Sequence, residues 1–299
     1  MKVLIVFAHP EPKSLSTSLK NVAINEIKSQ GHEVKVTDLY AENWNPLINR
    51  SDFLNLQPDK AMRICDESGE AYAAGMLTED VKQEQEKLKW ADVLILQFPF
   101  WWFSMPAILK GWIDRVYSSG LAYGVGEYND ERSGDQYGEG SFAGKKAMLI
   151  VTVGGPEKHY KNRGISGDID DLLFPINHGL LFYPGYSVLP PFIVYDAQTA
   201  GEKDYEAAAE KLRERIRSID TDSPIPYRTQ NGGDYVFPYV TCEMILSPIL
   251  RPFLFIRKGQ HRIEKSHVRH EGPIYQYRWK TVKTARILDC LKFWTSTDL

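Results

Sequence analysis

Three short stretches concentrate the residues able to do chemistry. "HPEPKSLSTS", residues 9 to 18, sets Ser14, Ser16, Thr17 and Ser18 beside His9, where an apolar run gives way to helical periodicity. Hydroxyls and free backbone N–H groups at the positive end of a helix make a site for an anion such as phosphate. The plainer alternative for Ser14 or Ser16 is N-capping of that helix. "FPFWWFSMP", residues 98 to 106, follows a second apolar run with Phe100, Trp101, Trp102 and Phe103. Four successive aromatics are either buried core or a flat wall. "TVGGPEKHY", residues 152 to 160, follows a third run. Gly154 and Gly155 allow a ligand close to the backbone, and Tyr160 adds a phenol. An anion site, an aromatic wall and a bare backbone together suit a ligand that is flat, aromatic and phosphorylated.

The elements that must carry these stretches are legible as periodicities. "KVLIVFA" (2–8), "DVLILQF" (92–98) and "KKAMLIVTV" (145–153) are continuous apolar runs of strand length, as parallel strands buried on both faces require. "HEVKVTDL" (32–39) alternates and belongs nearer an edge. Leu15, Leu19, Val22, Ala23 and Ile27 mark a helix that ends at Gly31, and further helices are expected over 78–90, 106–116 and 202–219. Strand alternating with helix predicts an α/β class chain with a flavodoxin-like, doubly wound parallel sheet. Ligands of such sheets lie beyond the carboxyl ends of the strands, which is where all three stretches fall. With no GxGxxG fingerprint to indicate a dinucleotide fold of the Rossmann type, a flavin nucleotide is the ligand that fits.

Composition sets the outer limits. The chain has 299 residues, 43% hydrophobic and 25% charged, an ordinary globular balance with enough apolar surface for a sizeable core. Cys65, Cys242 and Cys290 form no CxxC pair, so neither a disulfide framework nor a zinc knuckle is implied, and a reducing cytoplasm is the expected location. The apolar run near the N-terminus is too short for a signal-peptide core. Residues 224–299 carry 12 Lys+Arg against 6 Asp+Glu, whereas the residues before them carry 24 against 33. The expected organisation is therefore an acidic domain over 1–223 and a basic C-terminal extension over 224–299, joined through the Pro- and Gly-rich "DSPIPYRTQNGGDY" (222–235). Within the extension, residues 236–256 form an apolar strip followed by Arg257, Lys258, Arg262 and Lys265. Its charges and prolines make it a poor bilayer span. It is expected to wrap over a partner subunit, and the alternative is peripheral contact with an anionic membrane. Residues 124–146, rich in Gly and acidic groups, are expected as a solvated surface loop, and no nucleic-acid partner is expected.

Four longer blocks, "VLIVFAHPEPKSLSTSLKNVA", "DLYAENWNPLINRSDF", "ADVLILQFPFWWFSMPAILKGWIDRV" and "TVGGPEKHYKNRGISGD", together resemble the NAD(P)H:quinone oxidoreductases from residue 1 to about residue 227. The nearest branch is the one that prefers dihydronicotinamide riboside. The resemblance implies a homodimer with FAD at its interface. It also implies ping-pong chemistry, in which hydride passes from NAD(P)H or dihydronicotinamide riboside to flavin N5 and then to a quinone. Carried over by position, His9, Leu15, Ser16, Thr17 and Ser18 contact the flavin's pyrophosphate and ribityl groups, with Leu15 and Ser16 replacing the family's usual Phe and Asn. Phe100, Trp101, Trp102 and Phe103 lie along the isoalloxazine. Thr152, Val153, Gly154 and Gly155 meet its polar edge, and Tyr205 stands where the family has an Arg near the adenine, so that FAD rather than FMN rests on the overall resemblance. Tyr123, Gly124, Val125 and Tyr183 close the partner's substrate pocket.

Tyr160, with the N–H groups of Gly154 and Gly155, is the expected catalytic group, stabilising charge that develops on flavin reduction. Two departures follow from the same comparison. Ser166 occupies the position of a proton-relay His found in many members, and His159 beside Tyr160 is not expected to replace it. Of the branch's three metal ligands only His178 remains, with Phe182 and Tyr227 at the other two positions, so no metal is expected. Azo or nitro reduction by the same hydride chemistry is one alternative function. A flavin-binding regulatory subunit docked on a membrane transporter is another.

Overall fold

The computed structural model describes residues 1–233, 235, 236, 241 and 242. Its centre is one parallel sheet of β1 (Lys2–Phe7), β2 (Glu33–Asp38), β3 (Val93–Pro99), β4 (Lys146–Thr152), β5 (Ser187–Val188) and β6 (Phe192–Val194). The order is β2-β1-β3-β4-β5, with β6 also on β4. This is the flavodoxin-like doubly wound order, whose switch point lies between β1 and β3. Every residue of β3 is buried, and β1 and β4 are buried except at their first residue. The alternating β2 lies at the edge, where one face meets solvent.

The period of two in each strand builds two separate cores. Leu4, Val6, Leu94, Leu96, Leu149 and Val151 face one core, which includes residues of α3 (Glu79–Trp90) and α4 (Ala107–Val116). Val3, Ile5, Phe7, Ile95, Met148 and Ile150 face the other, beneath α1 (Leu15–Ser29) and α6 (Glu202–Arg217). Some helix termini are capped locally. Ser14 Oγ accepts the Thr17 N–H at the start of α1, and Gly31 at φ +74° takes the left-handed turn after its end. Lys145 Nζ donates to the carbonyls of Leu88, Lys89 and Ala91 at 3.1, 2.6 and 2.6 Å, closing the end of α3.

The helix after the aromatic run is fixed tightly. Trp112 of α4 is fully buried and donates Nε1–H to the buried Glu84 at 2.9 Å. Arg115 of the same helix lies 2.7 Å from both Asp52 and Asp80. Gly111 passes so close to Pro46 that an added Cβ would collide with the Pro46 carbonyl.

Elements absent from the sequence reading are α2 (Ile64–Ala74), α5 (Ile169–Phe174), which continues as a wider helix over Pro175–Phe182, and the two short strands β5 and β6. The stretch 124–146 differs from expectation, because only its first part is a solvated loop. Tyr137 and Gly138 donate their N–H groups to the Tyr183 and Phe182 carbonyls at 2.8 Å, Phe142 is 1% exposed, and Gln230 Nε2 donates to the Ser133 and Gly134 carbonyls at 3.1 Å. The Pro- and Gly-rich stretch read as a linker is pinned through the same contacts, with Tyr227, Arg228 and Gln230 buried. Apart from residues 236, 241 and 242, the apolar strip and its basic flank lie outside the described residues. No helix among the described residues is long and apolar enough to cross a membrane.

Candidate functional site

The exits of β1, β3 and β4 converge on one cleft of 310 Å³ at the carboxyl edge of the sheet. His9, Leu15 and Ser16 come from the first exit, Phe100 and Trp101 from the second, and Thr152 and Gly154 from the third. The exits are tied together at the floor. Ser16 Oγ and Thr152 Oγ1, 136 residues apart, share a buried hydrogen bond of 2.7 Å, and Gln97 Nε2 donates to the Ser16 carbonyl at 2.7 Å.

At the first exit the hydroxyls divide their work. Ser14 caps α1, and Thr17 Oγ1 lies 3.0 Å from both Ser14 Oγ and the Glu11 carbonyl. The N–H groups of Leu15 and Ser16 donate to no group among the described residues, which leaves open donors at the positive end of the helix. His9 Nδ1 accepts the Glu11 N–H at 3.0 Å. Burial lowers the pKa of this imidazole, and in the neutral ring that burial favours, with Nδ1 accepting, the proton sits on Nε2 as a further donor.

The second exit answers whether the aromatic run is core. Trp102 is 95% exposed, Phe103 50% and Trp101 41%. Trp101 and Ser104 exchange backbone hydrogen bonds of 3.0 and 3.1 Å around a two-residue turn, in which Trp102 and Phe103 have φ of +50° and +62°. Such turns normally take Asn-Gly, because side chains larger than Gly are strained at positive φ. Two bulky aromatics held there display their rings instead of burying them.

At the third exit the N–H groups of Gly154 and Gly155 have no partner among the described residues. Tyr160 stands beside them, its hydroxyl 3.5 Å from where a Cβ on Gly155 would be, and its ring meets Phe100 edge-on at 6.3 Å. Val153 does not line the cleft. Its side chain is 1% exposed in the core, its N–H bonds to the Val194 carbonyl, and its carbonyl accepts from Ala197. Ser166 N–H donates to the His159 carbonyl at 3.0 Å.

The remaining candidates fall in two other grooves. Ser18 and Tyr205 line one of 410 Å³ between α1 and α6, with Asn21, Asn25 and Arg213. Tyr123 and Tyr183 line an apolar one of 380 Å³ with Ile64, Ile113 and Leu180, and Gly124 and Val125 follow Tyr123 in the chain. The Tyr123 hydroxyl lies 3.0 Å from Ser68 Oγ, and burial raises the pKa of both phenols.

The positions compared with a metal site hold an aromatic box. His178 stacks on Phe174 at 4.7 Å and Tyr137 at 4.8 Å, with Tyr227 edge-on at 5.0 Å and Phe182 at 5.5 Å. Enclosure by these rings lowers the His178 pKa to about 4. Among the described residues no cluster of His, Cys, Asp or Glu is suited to a metal ion.

Sequence reasoning missed a further exit, from β6. It brings Gln198 into the cleft and sets Tyr195 beside Tyr160, with ring centroids 5.9 Å apart. Burial, then the carboxylates of Glu157, Asp170 and Asp168, push the Tyr195 phenol up to about 12.

Comparison with known proteins agrees with this fold. Residues 1–218 match the family described as having a flavodoxin-like fold. A ribosyldihydronicotinamide dehydrogenase-like protein of Penicillium crustosum is 54% identical over 241 residues, covering 81% of this chain and 89% of the relative. The ribosyldihydronicotinamide dehydrogenase [quinone] of Homo sapiens is 40% identical over 226 residues, covering 75% and 94%. The crystal structure of a Klebsiella pneumoniae protein assigned as a quinone reductase superposes with a TM-score of 0.83 at 49% identity, covering 86% of this chain and 99% of that one. The chain belongs to the flavodoxin-like-fold family and, within it, to the oxidoreductases that include the ribosyldihydronicotinamide and NAD(P)H quinone dehydrogenases.

Proposed function

We propose that this protein is an FAD-dependent quinone reductase, which takes hydride from NAD(P)H or dihydronicotinamide riboside and returns two electrons to a quinone. The observation that carries the reading is one cleft combining open donors, displayed aromatic rings and bare backbone. A Cβ on Gly154 would press on Gln198 at 3.3 Å, so the glycine lets the Gln198 side chain lie against the backbone at the rim of the cleft. Bound flavin would supply the capacity to accept a hydride and pass on two electrons.

The chain supplies the binding and the electrostatics. His9 Nε2–H and the N–H groups of Leu15 and Ser16 are donors suited to phosphate oxygens. Phe100 and Trp101 wall the cleft, and the turn beside them displays Trp102 and Phe103. The N–H groups of Gly154 and Gly155 form a preorganised pair for negative charge, worth most in a site that excludes water. The Tyr160 hydroxyl stands beside them as a hydrogen-bond donor, and Ser166 cannot take over the work of a relay imidazole, because serine does not titrate near neutral pH. Tyr205 lies in the second groove, and FAD over FMN rests on the family resemblance.

The groove holding Tyr123 and Tyr183 shares no lining residue with the cleft. The family resemblance is what would have these tyrosines serve the substrate pocket of a second copy, in a homodimer. A cytoplasmic location fits the free thiol of Cys65. Residues 1–223 would carry the reaction, with 224–299 as an extension. Anaerobic mixing of the purified protein with NADH, NADPH or dihydronicotinamide riboside should bleach its flavin absorbance, and menadione should restore it. If none of the three donors bleaches the flavin, the reading fails.

A further inference from the structure

Asn231 is the one asparagine of the chain that glycine follows, in "TQNGGD", residues 229–234. The carboxamide carbon of an asparagine can be attacked by the backbone nitrogen of the next residue, and glycine, having no Cβ, leaves that nitrogen unobstructed. The surroundings leave this pair free to react. Asn231, Gly232 and Gly233 are all exposed. Among the described residues Gly232 N–H reaches the Thr229 carbonyl alone, across 3.4 Å, a distance at which a hydrogen bond holds the nitrogen weakly.

The contacts of Asn231 give its loss a consequence. Asn231 Nδ2 donates to Glu139 Oε2. Arg132 Nη2 lies 3.5 Å from the same carboxylate and 2.5 Å from Asp135. Arg132 belongs to a hairpin over residues 125–135, in which Asn129 N–H bonds to the Arg132 carbonyl, Gly134 N–H to that of Glu127 and Asp135 N–H to that of Val125, each at 2.9 Å. The preceding residue, Gln230, is buried and donates to the Ser133 and Gly134 carbonyls at 3.1 Å. Residues 230 and 231 thus latch the hairpin to the segment that follows α6, one from a buried position and the other from an exposed one.

We propose that Asn231 is a deamidation site of the folded protein, and that its product unfastens the exposed half of this latch. The Gly232 nitrogen bonds to Asn231 Cγ and gives up its proton, the Cγ–Nδ2 bond breaks, and Nδ2 leaves as ammonia. Water then opens the five-membered imide at either carbonyl, yielding aspartate or isoaspartate with no change of oxidation state. Both products replace a donor with a carboxylate facing Glu139, so an attraction becomes a repulsion. Isoaspartate also inserts a methylene into the backbone directly after Gln230, whose side chain is fixed.

The test is peptide mapping of full-length wild type and Asn231→Gln, held at mildly alkaline pH both folded and in urea. In folded wild type the peptide that begins at Thr229 should gain about 1 Da and contain isoaspartate, at a rate comparable with that in urea. Asn231→Gln, whose longer side chain would have to close a six-membered ring, should show no such gain. A gain confined to urea, or to other asparagines, overturns the site. Asn231→Asp reads the consequence. Losing one hydrogen bond that closes the hairpin should speed tryptic cleavage after Arg132 about fivefold, because cleavage follows the population of the locally opened form. Its thermal melting should match wild type, since the residue is exposed, so that faster cleavage reports the hairpin and not global unfolding. Cleavage at the wild-type rate overturns the unfastening.

Discussion

Trp102→Gly should separate the two roles that one exposed ring could have. Trp102 is 95% exposed, so truncation removes almost no burial, and its direct packing contribution to stability is close to zero. Its φ of +50° matters more. A residue with a Cβ in the left-handed region is strained by about 1–2 kcal/mol, which glycine relieves. Glycine's extra freedom in the unfolded chain offsets about 0.5–1 kcal/mol of that gain. The net expectation is a fold between unchanged and about 1.5 kcal/mol more stable, or a Tm raised by up to roughly 5 °C in a domain of this size. Flavin binding should move the other way. A stacking aromatic contributes about 1–3 kcal/mol to binding a flat ring, so the FAD Kd should rise roughly 5- to 150-fold. Trp102→Ala is the companion: it loses the ring but keeps the strain, and should be folded, pale and no more stable than wild type. Calorimetry of the apoproteins reads the strain, and fluorescence titration with FAD reads the stacking. A Trp102→Gly protein that unfolds refutes the strain argument, and one that binds FAD as wild type does refutes the wall.

Tyr160→Phe should keep its flavin but slow the half-reactions by about 10²-fold in stopped-flow assays, because the hydrogen-bonding hydroxyl is lost while the ring remains. Gly111→Ala should cost about 2 kcal/mol despite alanine's better helix propensity, since its Cβ would meet the Pro46 carbonyl. A fall in Tm of roughly 4–8 °C is the measurement. His178 has its pKa lowered from 6.5 to about 4, so the unfolded chain binds the proton that the folded chain refuses. Stability contributed by the neutral ring is fully present above pH 6.5, declines as pH falls towards 4, and then levels off. His178→Phe should flatten that stretch of a Tm-against-pH curve by on the order of one proton.

The three central strands were legible because strands buried on both faces read as unbroken apolar runs, and the chemistry-bearing stretches sat at their ends. The fourth exit was not, because Pro190 and Pro191 divide its apolar residues into fragments of two and three. Gln198 was hidden with it. Helix α5 and its continuation were missed because Pro175 interrupts the pattern, and the wider turn beyond it breaks the 3.6-residue period. Sequence also gave no sign that Ser16 would bond to Thr152, since partners so distant in the chain leave no local pattern. Residue types suggested hydroxyls aimed at a ligand, and the structure shows most of them holding the cleft together. The positive φ of Trp102 was equally unreadable, because that conformation is announced in sequence by glycine or asparagine.

The hydroxyl bond between Ser16 and Thr152 carries a consequence for synthesis on the ribosome. It closes a loop of well over a hundred residues, and the segment bearing Gln198 must pair with β4 before the cleft is complete. Contacts of such long range form late, because the chain between them must be ordered first. A nascent chain that has emerged only as far as α4 already displays the aromatic turn but has no β4 beside it, and so cannot retain flavin. Cofactor uptake should therefore begin only after residue 198 has cleared the exit tunnel, which makes flavin retention a reporter of completed sheet assembly.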